Sequence, residues 1–535
     1  MQSLKPFRQP CLALILLSSC GGGDDGNNPP IQYVPSQVRI DAGTSTGLLR
    51  PMWGDHYDLS YTHFDYPSEP GFTQVMADLQ VRSFRCSIGR WEVGFPPAAG
   101  GDSMDPGVLA LVEREFYRGP NTLIGADDPG NYAFGYVDDL LQNLTAAGAD
   151  PYLCFDYMPF TLAAEQDPSN AFNANVSMPG TPYATLSFSN GIRTSPPADP
   201  LVYARVIRNV MRHTRGLFAG TTDFGLTYFE VGNEPDAIDL TGSAFPYFWT
   251  GDATQFFAMY DAIADEVDAD PQLSSSVQLG AGSFAVLPGI PGAPFLDEFL
   301  GSVATNTTRL DYLSFHTYGD EFADHLAIFL QVQGLTANHG LNVPWVNGEW
   351  GRDLGGTDPV YDQIEHGLLR AKVLALMQVF PFTIAHESLF RDPGTSGGEL
   401  GLIRTGPPAH KPASQVYRAL ATFNDSLNAL HVVDNPDQWV VLSARNNAST
   451  KVLAAIVVDE PAAGTAHRLQ FLIENLPWGA GDYSLVLRRV TQGTSDSGAG
   501  IETVSTETRS GGMTDFTWDV HGSEQGLYWL ELNEL

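Results

Sequence analysis

Two glutamates sit where short strand-forming runs stop. Thr227 to Val231 is β-branched, aromatic or apolar apart from Glu230, and it runs into Gly232-Asn233-Glu234-Pro235. Proline cannot continue a hydrogen-bond ladder, so Glu234 falls where strand becomes loop. A second run, Trp345-Val346-Asn347-Gly348, opens after Pro344 and ends in Glu349 beside Trp350. Two carboxyl groups facing one rim suit work on an acetal carbon: one, protonated, assists the departing oxygen, and the other, ionised, attacks. For cleavage of a glycosidic bond with retention, the two stand about 5 to 5.5 Å apart.

Other residues could serve that pair. Asn233 is placed to hydrogen-bond a ring hydroxyl beside the bond. Arg85, in the run Phe84 to Ile88, could hydrogen-bond Glu349 and keep it ionised. His316 and Tyr318 end the run from Tyr312, Trp350 flanks Glu349, and Glu387 follows His386 at the end of Phe382 to Ala385. For each of these four, ligand contact stands beside packing under the rim as an alternative. Glu230 shares a strand side with Glu234 but lies four residues earlier, so it reads as a hydrogen-bonded core carboxylate. Arg82, Arg85 and Arg90 would favour an acidic sugar, against the long-range repulsion of an acidic chain.

Bringing these positions together requires parallel strands with their ends at one mouth. Apolar runs alternate with helical periodicities: strands at 84–88, 152–157, 226–232, 277–279, 312–315, 345–350 and 382–385, and helices at 201–218, 322–333 and 363–379. Val137, Leu140, Leu141 and Leu144 mark another helix, and Phe256, Tyr260, Ile263 and Val267 a further one. This alternation predicts a (β/α)8 barrel over residues 37–424, with Glu234 and Glu349 at the ends of its fourth and seventh strands. Val38 to Asp41 is a short strand that could pair with the C-terminal part instead. Trp53, His56, Tyr57, Tyr61 and His63 crowd a loop-rich stretch, where function and packing weigh equally. The long connections to about Tyr132 and to about Pro200 carry Trp91, Phe95, Phe116, Tyr117, Phe160 and Phe172, suited either to stacking on sugar rings or to packing. Short alternating runs over 425–535 predict an accessory β-sandwich, with 492–512 as a polar loop.

A chain of 535 residues exceeds what one core usually organises. Its 62 acidic residues against 28 basic ones, a net charge of −34, argue against nucleic acid as a partner. Lys5 and Arg8 precede an apolar run from Cys11 to Leu17, too short to span a bilayer. Leu17-Ser18-Ser19-Cys20 resembles the bacterial lipobox. The expectation is a signal peptide over 1–20, acylation at Cys20, a flexible tether over 21–36, and an exported lipoprotein anchored in the outer membrane, touching lipid only through its anchor. Cys86 and Cys154 are expected as buried free thiols rather than a disulfide. No metal-ligand spacing and no cofactor requirement is evident.

Several of these segments also resemble a known family. Phe229 to Pro235 is similar to the acid/base motif of clan A glycoside hydrolases, and Pro151 to Pro159 to the third strand of glycoside hydrolase family 39, which holds β-xylosidases and α-L-iduronidases. Ser314 to Tyr318, Glu349-Trp350, and Gly401 to Arg404 leading to Lys411-Pro412-Ala413 agree. Glu474 to Pro477 before Tyr483 to Val486 resembles the family's accessory sandwich, so the likeness covers most of residues 37–535. It implies a carbohydrate substrate, Glu234 as acid/base, Glu349 as nucleophile, and retention through a covalent glycosyl-enzyme intermediate. Two departures, Gly232 where xylosidase members carry tryptophan and Asn347-Gly348 before the nucleophile, imply a reshaped sugar subsite. The alternatives are a transglycosylase using the same glutamates, or a non-catalytic surface carbohydrate-binding protein, which has no use for two opposed carboxylates.

Overall fold

The computed structural model describes residues 33–535 apart from 58–70, 89–115, 157, 160, 165–194, 220–221, 238–247, 286–293, 353–357, 393–400, 405–407, 436–438, 460–465, 497–499 and 522–524. The signal peptide, Cys20, Tyr61, His63, Arg90, Trp91, Phe95, Phe160 and Phe172 lie outside the described residues.

After β1 (Tyr33–Leu48), eight parallel strands close a barrel: β2 (Asp55–Tyr57), β3 (Ser83–Ile88), β4 (Asp150–Phe155), β5 (Tyr228–Val231), β6 (Gln278–Ala285), β7 (Tyr312–Tyr318), β8 (Trp345–Gly351) and β9 (Phe382–Ser388). Each is followed by a helix: α1 (Phe72–Leu79), α2 (Gly135–Ala146), α3 (Pro200–Thr214), α4 (Ala253–Asp268), α5 (Pro294–Asn306), α6 (Phe322–Asn338), α7 (Ile364–Met377) and α8 (Pro412–Ala421). The first barrel strand is therefore Asp55-His56-Tyr57, in the stretch that reads from sequence as loop. Three polar and aromatic residues carry no strand periodicity of their own; pairing with β3 and β9 makes them a strand.

Helix starts follow local chemistry. Asp199 caps α3 ahead of Pro200, and Asp252 with Gln255 forms a reciprocal capping box on α4. Strand alternation sorts the barrel wall: Phe229 and Val231 enter the core beneath the helices, while Tyr228 joins Tyr152, Tyr312, Val346 and Ile384 inside the barrel. That inner cluster is the floor on which the polar layer above rests.

The C-terminal strands are β12 (Asn428–Asp434), β13 (Val440–Arg445), β14 (Lys451–Val458), β15 (Ala466–Glu474), β16 (Asp482–Thr491), β17 (Glu502–Ser510), β18 (Thr514–His521) and β19 (Gly526–Glu534), preceded by the small ribbon β10 (Ile403–Arg404) and β11 (Ala409–His410). They form one sheet with the order β17-β16-β19-β14-β13-β12-β1-β15-β18. Leu469 and Phe471 of β15 share a core with Leu485 and Leu487 of β16, strands far apart in that order, so the layers of the sandwich are parts of one curled sheet.

Two expectations change here. The barrel does not begin at residue 37: residues 37–48 lie in this sheet, the alternative open for Val38 to Asp41. Tyr33 to Ser36, within the expected tether, already belong to β1, which runs parallel to β15 and antiparallel to β12 as Val38, Ile40 and Ala42 alternate into the sheet's own core. The stretch 492–512 is not a loop but a short helix, Gln492–Asp496, followed by β17. β17 is a sheet edge, exposed along much of its length, so it needs no apolar alternation and leaves none to read. The opposite face of the sheet, including Leu453, Ala455, Val457, Leu527 and Trp529, joins the core that contains the barrel helices. Among the described residues no helix is long and apolar enough to cross a membrane.

Candidate active site

The site is built around Arg85, which points from β3 into the barrel and is fully buried. Its Nε and Nη2 donate to Glu230 Oε1 at 3.0 and 2.6 Å, and its Nη1 to Glu349 Oε1 at 2.8 Å. Nη2 also reaches Asn233 Oδ1 at 2.8 Å and Cys154 Sγ at 3.2 Å, and the guanidinium lies 5.0 Å from the Tyr57 ring centre. A buried cation must be compensated, and Glu230 does so. Burial alone would raise the Glu230 carboxyl, but Arg85 and the hydroxyls of Ser283, Ser314 and Tyr152 bring it down to about 2. The core role read for Glu230 from strand parity is the one it has.

Glu349 Oε1 is held by Arg85, and its Oε2 accepts from the Tyr318 hydroxyl at 2.9 Å. Glu234 is in different surroundings. Its backbone is left-handed, with φ 43°, a region that non-glycine residues seldom occupy. The Glu234 N–H donates to Ser283 O at 3.1 Å, which pins the turn. Its Oε1 lies 2.7 Å from Nδ1 of His316, and that same nitrogen is 3.8 Å from Glu349 Oε2. Burial pulls the His316 pKa down, but the charges of Glu349 and Glu234 outweigh it and raise it above the ordinary value.

Two β-bulges produce this geometry. In β6 the register slips between Ala281 and Phe284, where Gly282 and Ser283 have φ of 94° and 37°, and the displaced Ser283 carbonyl is the one that holds Glu234. In β8 the partners step from Phe315–Asn347 to His316–Glu349, leaving Gly348 as the extra residue. A Cβ on Gly348 would stand 2.5 Å from Ser283 Oγ and 3.0 Å from His316 Nε2, so glycine lets the bulge turn Glu349 inward. Gly232 is required for a related reason: φ is 83° and a Cβ would lie 2.7 Å from the Phe256 ring. Phe256 and Trp249 pack edge to face there, 5.4 Å apart.

Single donor atoms of Glu234, His316 and Glu349 lie within 4.8 Å of one another. Residue types alone would let these three hold a cation. However, Arg85 and Tyr318 already occupy both Glu349 oxygens, and the guanidinium charge at 2.8 Å opposes a second cation. The set fits proton transfer and nucleophilic attack better than metal binding.

Glu234, Glu349, Asn233, His316, Tyr318 and Arg85 thus come together, and Trp350 and Glu387 do not join them. Strand parity separates them: Glu349 faces inward and Trp350 outward, where its Nε1 donates to Ala385 O at 3.1 Å. His386 faces inward, 3.2 Å from Ser83 Oγ, so Glu387 faces outward, buried and ion-paired with Arg370 of α7. Arg82 pairs with Asp55 at the other end of the barrel. Phe116 and Tyr117 are buried packing residues, and Cys86 and Cys154 are free thiols. Asp156 escapes the sequence reading although parity from Tyr152 through Cys154 points it inward; it lies 2.5 Å from the Cys154 sulfur. Asp236 escapes it too: burial pushes its carboxyl up to about 7 even though Oδ1 accepts the Ala285 N–H. Ser283 and Ser314, which support Glu230, carry no sequence signal, being small residues in apolar strands.

No protein-family model matches the chain. A β-xylosidase of Caldicellulosiruptor saccharolyticus is 21% identical over 193 residues, which is 36% of this chain and 32% of that protein, so the match spans about a third of the curated relative. Among solved structures, one described as the GH39 enzyme from Xanthomonas axonopodis pv. citri is 18% identical with a TM-score of 0.65, covering 94% of this chain and 98% of that one. A monomeric β-xylosidase from Caulobacter crescentus (18% identity, TM-score 0.64) and a glucosidase from Croceicoccus marinus (16%, 0.64) are matched over 94% of this chain and 100% of theirs. The chain therefore has the fold of these GH39 and glucosidase structures, barrel and β domain together, in agreement with the family resemblance that its motifs carry.

Proposed function

We propose that this protein is a retaining, β-xylosidase-like glycoside hydrolase with Glu234 as acid/base and Glu349 as nucleophile. The observation that carries the reading is the approach of the two carboxylates within 4.8 Å in unlike surroundings, one on a cation and a phenol, the other on an imidazole. That spacing is nearer the roughly 5 to 5.5 Å of direct attack than the roughly 6.5 to 9.5 Å of enzymes that place a water beside the sugar. In the first step Glu234 gives its proton to the glycosidic oxygen, the C–O bond breaks with its electron pair going to that oxygen, and Glu349 bonds to the anomeric carbon. In the second, Glu234 takes a proton from water, the water oxygen bonds to the anomeric carbon, and the bond to Glu349 breaks, restoring both carboxyl groups.

Arg85 and Tyr318 stabilise the charge of Glu349 before attack and after release. His316, keeping its proton past the ordinary pH, orients Glu234. Asn233, fixed through its Oδ1 by Arg85, presents its amide donors to a sugar hydroxyl. The test is nitrophenol release from aryl β-xyloside, β-glucoside, β-galactoside, α-L-arabinoside and α-L-iduronide by the wild type beside Glu349→Ala. Release from one sugar, absent in the variant, supports the assignment. Inactivity on all five and on polysaccharide would refute it.

We also propose export as a lipoprotein acylated at Cys20, supported by the lipobox-like Leu17 to Cys20. Membrane association that persists in Cys20→Ala would rule that out.

A further inference from the structure

Glu234, Pro235 and Asp236 lie in the turn that follows β5, and two hydrogen bonds tie this turn to β6. The Glu234 N–H donates to Ser283 O at 3.1 Å, and the Ala285 N–H donates to Asp236 Oδ1 at 2.7 Å. A third bond, from the Ala237 N–H to Glu234 O at 3.0 Å, closes the turn on itself. Pro235 has no N–H to contribute. The two bonds to β6 continue the link between the strands past the last ladder pair, Val231 with Ala281. We propose that Asp236 is a positioning residue for the acid/base: its side chain fastens the turn to the end of β6 and thereby holds Glu234 against His316.

The backbone shows why a fastening is needed. Glu234 has φ 43°, and a residue with a Cβ stays in the left-handed region only where its surroundings over-determine it. Released from β6, the turn would relax toward commoner backbone angles, and the Glu234 carboxyl would leave His316 Nδ1, now 2.7 Å away. Strand β6 also locates the imidazole. Ala285, whose N–H Asp236 accepts, is the ladder partner of His316 in β7, so both sides of the Glu234–His316 contact are referred to one residue. What the Ala285 N–H requires is an acceptor oxygen. Burial pushes the Asp236 carboxyl up to about 7, the Glu234 charge adds to that, and the Ala285 N–H and His316 oppose it. Near neutrality an asparagine amide, uncharged and with its own acceptor oxygen, is therefore a close substitute.

This role rests on Glu234 as the acid, so Glu234→Ala is measured beside the Asp236 variants. The quantity is kcat/KM, which reports the first bond cleavage, for a disaccharide and for the dinitrophenyl glycoside of the sugar that the wild type accepts. Asp236→Ala should lower it at least about tenfold on the disaccharide and less than about threefold on the dinitrophenyl glycoside, because only the former needs a proton from a well-placed Glu234. Asp236→Asn should stay within about threefold of the wild type on the disaccharide. Asp236→Ser, with a side chain one atom shorter, should repeat the alanine pattern and keeps the test readable if the alanine variant folds poorly. Equal losses on both substrates, an alanine variant as active as the wild type, or an asparagine variant as poor as the alanine one would overturn the proposal. Equal losses in Glu234→Ala itself would overturn the acid assignment, and this role with it.

Discussion

At the scale of single residues, the two glutamates differ in what each one touches, and the proposed roles follow from that difference. Arg85 and Tyr318 supply Glu349 with a positive charge and a phenol donor, which favour the ionised form a nucleophile needs. Glu349→Ala should abolish turnover while leaving the thermal transition near that of the wild type. Glu234→Ala should slow natural glycosides by about 10² to 10⁴-fold and spare dinitrophenyl glycosides, whose leaving group needs no proton; equal losses on both would contradict the acid assignment. His316 gives a pH prediction with a definite sign. Its pKa is raised in the folded protein, so the attraction between its imidazolium and the two glutamates is fully present below the ordinary histidine value and is lost as pH rises through the raised one. The stability difference between the wild type and His316→Gln should therefore shrink as pH rises above neutrality. A difference that grows with pH, seen in melting curves from pH 5 to 9, would place the neutral form in the folded site.

At the scale of elements, the geometry of the candidate site is made by irregularity. Strand β7 supplies His316 and Tyr318 from regular alternation, but Glu234 and Glu349 reach it only because the strands on either side are bulged. Gly348→Ala would set a methyl group 2.5 Å from Ser283 Oγ, an overpacking that typically costs about 1 to 3 kcal/mol. Because the same methyl crowds His316, the loss in kcat should exceed tenfold while KM changes little. A variant that melts earlier yet keeps full kcat would show that the bulge serves the fold alone.

At the scale of the whole molecule, the chain begins in the sheet, passes through the barrel and returns to the sheet. β1 stands between β12 and β15, so its loss would cut the sheet and leave β15 and β18 as an isolated pair. A two-stranded ribbon is marginal by itself. A chain beginning at Leu49 should therefore lose amide-exchange protection in β15 and β18 and bind a hydrophobic dye through the uncovered Leu469, Phe471 and Ile473. Unchanged protection there would mean that the curled core holds without its N-terminal strand.

The sequence by itself determined the barrel, the ends of its fourth and seventh strands as the places where Glu234 and Glu349 emerge, and the interior role of Glu230. These rest on period-two alternation, helical periodicity and the stop imposed by Pro235, all of which are local. Tertiary structure alone decided what depends on partners remote in the chain. It made a strand of Asp55 to Tyr57, decided for residues 37–48 between barrel and sheet in favour of the sheet, and turned 502–510 into an edge strand. Parity read from a run's start also fails across a bulge, because one extra residue reverses every side chain after it. Whether Trp350 or Glu349 faces the mouth was settled by the slip at Gly348 in the pairing of β8 with β7, where a Cβ would meet Ser283 and His316, residues remote in the chain.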